Sequence, residues 1–111
     1  MDVVVTRIGG RARLLRNTTA TGNHWLAIRL RGRRSNRDGM CAMVHVTGAS
    51  GREQWNRVTT ATGYASSSDP AAHFGMGADR AARTIAIQWP SGVKQQLTGV
   101  GCDRYLTVEE P

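Results

Sequence analysis

The stretch His24-Trp25-Leu26-Ala27-Ile28-Arg29-Leu30-Arg31 decides the fold class. Side chains along a β-strand alternate between its two faces. Leu26, Ile28 and Leu30 therefore share one face, while Ala27, Arg29 and Arg31 point to the other. A helix would scatter the same apolar residues around its axis. The pattern predicts a half-buried strand with one dry and one wet side.

The same two-residue period recurs further along the chain. Met40, Ala42, Val44 and Val46 alternate with Cys41, Met43, His45 and Thr47. Ile85, Ile87 and Trp89 alternate with Thr84, Ala86 and Gln88. Arg52 through Thr60, Gln95-Gln96-Leu97 and Tyr105-Leu106-Thr107-Val108 supply shorter candidates. Turn chemistry separates them: Arg37-Asp38-Gly39, Ala49-Ser50-Gly51 and Pro90-Ser91-Gly92. Ala78 to Arg83 is the one helix-permissive stretch and is too short to stand alone. These readings predict an all-β domain, an antiparallel sandwich or barrel-like fold of about seven short strands. Trp25 and Trp89 are expected in its core.

Residues 1–20 read differently. Asp2-Val3-Val4-Val5-Thr6 and Arg13-Leu14-Leu15-Arg16-Asn17 flank Gly9-Gly10 as two short strands around a turn. Thr18 to Gly22 forms a linker to the domain expected over 21–111. A lone hairpin is marginal in water, so this one is expected to dock on the following domain or to belong to a larger sheet.

The formal charge of +7 comes almost wholly from arginine, Lys94 being the only lysine. Arg29, Arg31, Arg33, Arg34 and Arg37 fall on one strand and the turn after it, a candidate polyanion-binding face. Trp55, flanked by Gln54, Asn56 and Arg57, is the candidate exposed contact. No RNA- or DNA-binding signature accompanies the arginines, which disfavours nucleic acid. The apolar runs are too short for a membrane-spanning helix, and no signal peptide is evident in the chain.

Catalytic and metal chemistry find little support. His24, His45 and His73 lack metal-site spacing, and Ser66-Ser67-Ser68 lacks a nucleophile-elbow context. Gly75-Met76-Gly77 lacks the following helix that a phosphate cradle requires. Glu109 and Glu110 read as a terminal tail. Asp38 and Asp69, before glycine and proline, read as caps of tight turns. Cys41 and Cys102 leave two alternatives, one bridge or two buried free thiols. No cofactor is expected.

An ordered set of short strings runs through the chain: Asn23-His24-Trp25, Asp38-Gly39, Gly63-Tyr64, Ser68-Asp69-Pro70, His73-Phe74-Gly75 and Trp89-Pro90-Ser91-Gly92. In order and spacing the set resembles the ASPIC/UnbV domain family, over roughly residues 23 to 109. The N-terminal hairpin is similar to the tail of an FG-GAP (integrin-type) propeller repeat. In such repeats an acidic loop before the strand binds calcium; Asp2 alone of that set is present, so no calcium site is assigned. The resemblance implies a non-enzymatic accessory module of a secreted, extracytoplasmic protein. Its implied partner is an upstream β-propeller, with an acidic polysaccharide or other carbohydrate on the arginine face as the alternative.

Overall fold

Leu26, Ile28 and Leu30 are buried together with Val44, Val46, Ile85, Ile87 and Trp89, so the predicted dry faces meet in one layer. The computed structural model describes residues 1–111 and contains no helix. Its strands are β1 (Val3–Arg7), β2 (Gly10–Leu15), β3 (His24–Arg31), β4 (Met43–Gly48), β5 (Glu53–Arg57), β6 (Ala72–Gly77), β7 (Ala81–Gln88), β8 (Lys94–Gly101) and β9 (Arg104–Glu109). Seven of them form a sandwich of two sheets, ordered β6-β3-β9 and β5-β4-β7-β8, and no barrel closes. Ala78–Arg83, the helix-permissive stretch, becomes a turn and the start of β7.

Pairing is antiparallel except between β3 and β9, which run parallel with Leu26 opposite Arg104 and Arg31 opposite Glu109. A parallel pair needs a long crossover. Here the whole remaining sandwich serves as that crossover, since β3 is its first strand and β9 its last. Ala27, expected on the wet face, is fully buried. Its neighbours in register are His73 on β6 and Tyr105 on β9, whose rings stand beside the small methyl.

One open side of the sandwich is joined by amides. β5 and β6 are edge strands of the two sheets, and the inward positions of β5 hold Gln54 and Asn56. Gln54 Nε2 donates to Gly75 O at 2.9 Å and Asn56 Nδ2 to His73 O at 3.2 Å. Bonding β6's carbonyls in this way covers an edge that would otherwise be open to pairing. It also obliges Trp55, between the two amides, to face outward.

Hairpin β1–β2 stands apart. Every residue of both strands is exposed, and the core cluster draws nothing from residues 1–23. Asp2 Oδ1 accepts from Asn17 N at 2.8 Å, tying the two ends together. The radius of gyration is 15.5 Å, against about 13 Å for a compact domain of this length. Projection of the hairpin accounts for the excess.

Candidate functional sites

The arginine face exists as a groove of about 420 Å³ lined by Arg29, Arg31, Arg33 and Arg37, with Asp38 and Glu109 among its other walls. Arg34 lies outside the lining. Three of the guanidiniums already have carboxylates: Arg29 with Asp69 at 3.2 Å, Arg33 with Glu109 at 3.1 Å and Arg37 with Asp38 at 3.0 Å. Arg31 and Arg34 have none. Asp38 does not cap a backbone turn as expected; its carboxylate faces Arg37, whose hydrogen bond holds it below the usual carboxylate range. The turn is organised by Asn36 instead. Its Oδ1 accepts from Met40 N at 2.7 Å and its Nδ2 donates to Met40 O at 2.9 Å.

Asp69 is the hub of the outer face of sheet β6-β3-β9. It accepts from Ala71 N, Arg29 Nη2 and Tyr105 OH, and His73 Nε2 lies 3.2 Å away. Burial works against the charge, but the Ala71 N–H, the Tyr105 hydroxyl, His73 and Arg29 outweigh it and hold Asp69 below its ordinary range. Burial and the hydrogen bond to that carboxylate push the Tyr105 phenol up. Four partners on one carboxylate leave it little freedom, so Asp69 orients its neighbours and pins the loop before β6 to the sheet. Trp25, expected in the core, lies on this same outer face, 40% exposed and edge-on to Tyr105. The alternation that buries Leu26 and Ile28 puts Trp25 outside. Tyr64, in the loop, is fully exposed.

Glu110 is the residue sequence reasoning missed. Far from being a loose tail, it is 1% exposed. Its Oε2 accepts from the backbone N–H groups of Arg33, Arg34 and Ser35 at 2.7 to 2.8 Å. Its Oε1 accepts from the Ser35 and Ser91 hydroxyls. Burial pushes the carboxyl up, yet the Ser35 N–H, Ser91 hydroxyl, Arg33 N–H and Ser35 hydroxyl prevail and bring it to about 2. Three successive N–H groups aimed at one oxygen form an anion nest. Gly32 makes this possible, because a Cβ there would overlap the carbonyl oxygens of Ser35 and Asn36.

The histidines are scattered. His24 Nδ1 meets Asp103 Oδ2 at 2.6 Å, His73 meets Asp69, and His45 stacks on Trp55. No three His, Cys, Asp or Glu side chains converge as metal ligands would. The cysteines are both free, Cys41 exposed and Cys102 half-buried, so neither of the two alternatives describes them. Burial, then Asp103 and Asp79, push the Cys102 thiol up.

Trp55 is 65% exposed. Its ring lies 3.8 Å from that of His45 at an interplanar angle of 7°. The pair lines a second groove of about 340 Å³ across β5, β4, β7 and β8.

The fold is a two-sheet all-β sandwich with an attached hairpin that packs on neither sheet. The ASPIC and UnbV family model matches residues 32–111, and the chain belongs to that family. The match leaves out Asn23-His24-Trp25 and the hairpin. No curated protein and no solved structure matches the chain. No helix is long and apolar enough to cross a membrane.

Proposed function

We propose that this domain is a non-enzymatic accessory module of a secreted protein, and that hairpin β1–β2 is the element joining it to an upstream β-propeller of the FG-GAP type. The observation that carries this reading is the hairpin's surface. Val3 and Val5 share one face with Leu15, while Val4 and Leu14 share the other, and all five are exposed. A hairpin that faced a single core would be apolar on one side only. Apolar residues on both faces suit a strand pair covered on both sides, as the strands within a propeller blade are. Both outer edges of the hairpin are also unpaired and free to accept a further strand. The FG-GAP likeness of residues 2–17 supplies the identity of the partner; the extracytoplasmic setting rests on the family resemblance.

The test adds a separately expressed FG-GAP propeller, from a protein that ends in an ASPIC/UnbV domain, to the isotopically labelled chain. Methyl signals of Val3, Val4, Val5, Leu14 and Leu15 are expected to shift, with those of Val44 and Ile85 unmoved. Val4→Asp together with Leu14→Asp should abolish the shifts. Association that leaves the hairpin methyls untouched would contradict the reading.

A further inference from the structure

The groove beside Trp55 has a composition that the accessory reading does not use. Trp55 sits on β5, the edge strand, opposite His45 in register; His45 is opposite Ala86, and Ala86 opposite Gln96. The row across the sheet is thus large aromatic, imidazole, methyl, amide. The methyl between bulkier neighbours leaves the trough, and the stacked rings line one side of it. An exposed indole held by stacking on a neighbour has already lost its freedom, so a ligand that packs on it incurs little further ordering cost.

The opposite side of the trough is polar. The Gln88 and Gln96 side chains are exposed and form no hydrogen bond within the chain, unlike Gln95, which accepts from Trp89 Nε1 at 3.0 Å. Each free amide offers donors and an acceptor to a ligand's hydroxyl groups. Lys94 faces Gln88 in register and lines the groove. It has no ion-pair partner, and no carboxylate lines this groove, in contrast to the arginine groove with its Asp38 and Glu109. The Glu53 carboxylate lies 3.8 Å from His45 Nε2 at the aromatic side of the trough, so the side near Lys94 carries an unbalanced positive charge on a protein of net charge +7.

We propose that this groove binds an acidic sugar, a hexuronate unit of a glycan, with its apolar ring face on the aromatic pair. Its hydroxyls meet the amides of Gln88 and Gln96, and its carboxylate meets Lys94. A lipid tail would need a drier lining than two free amides and an ammonium provide. A nucleic acid strand would need a row of cations, where the groove offers one. The inference is independent of the hairpin's role, since the trough lies on the outer face of the four-stranded sheet.

The experiment titrates the labelled full chain with a panel of hexuronate oligosaccharides (oligogalacturonate, alginate and hyaluronan fragments), with cellotetraose as the neutral control and oligothymidylate as the competing polyanion. At least one hexuronate should shift the Trp55 indole and the Gln88 and Gln96 side-chain amide signals. Trp55→Ala should weaken its binding at least tenfold, and Lys94→Ala should remove the preference over cellotetraose. Both side chains are exposed, and unchanged core methyl signals will show that the variants fold. The proposal is overturned if no hexuronate moves those signals, if binding survives Trp55→Ala, if Lys94→Ala leaves the preference intact, or if oligothymidylate takes the same groove more tightly.

Discussion

Replacing Glu110 by glutamine probes the C-terminal nest with a change of one atom in outline. The native carboxylate collects three backbone N–H groups and two hydroxyls; the amide keeps one acceptor oxygen and turns an NH2 toward donors. The size of the effect follows from the titration. Glu110 sits at about 2 in the native state against an ordinary 4.5. Because the folded value is depressed, the unfolded chain binds the proton more readily. The stabilisation is complete above pH 4.5 and is lost as pH falls through about 2. Across that interval the folding constant should change on the order of a hundredfold through this group alone. Urea unfolding of the wild type and Glu110→Gln at pH 7, 4.5, 3 and 2 measures it. Asp38, Asp69 and Asp103 are also held low, but they are common to both proteins and cancel in the difference. The wild-type advantage should be full at pH 7, shrink below 4.5 and be mostly gone at 2. An advantage that persists unchanged at pH 2, or is absent at pH 7, refutes the nest as drawn.

Two further outcomes follow from burial and from charge pairing. Trp89 is 1% exposed and its Nε1 donates to Gln95, so Trp89→Ala should cost roughly 3–5 kcal/mol in urea unfolding; a loss under about 1 kcal/mol would place the ring outside the core. On a heparin column, Arg31→Ala with Arg34→Ala should lower the eluting salt concentration more than Arg33→Ala with Arg37→Ala, because the second pair is already neutralised by Glu109 and Asp38. The reverse order would show that the ion pairs open to the polyanion.

Much of the sandwich is legible because alternation is local. Leu26, Ile28, Val44, Val46, Ile85 and Ile87 declare their face by parity alone. The same parity places Trp25 outside, and the preference of tryptophan for cores misleads only when it is allowed to override the register of its own strand. Gln54 and Asn56 show the converse. Two amides facing inward look like an error of pattern until β6, the next strand but a member of the other sheet, supplies the carbonyls they bond. The parallel β3–β9 pair is hidden for the same reason, since strand partnership across the whole domain has no local signature. Glu110 is hidden more deeply. Its partners are mostly backbone N–H groups, and those carry no letter in the sequence. Only the glycine at 32 hints that the chain bends there to bring them together.

Strands β3 to β9 share one core to which hairpin β1–β2 contributes nothing, so the two should open independently. Residue-resolved hydrogen exchange on the 111-residue chain measures this. Amides of Ile28, Val44 and Ile85 should exchange together and slowest, while those of Val4 and Leu14 exchange near the rate of an unstructured peptide. Hairpin amides that exchange as slowly as the core, and lose protection with it, would contradict the division.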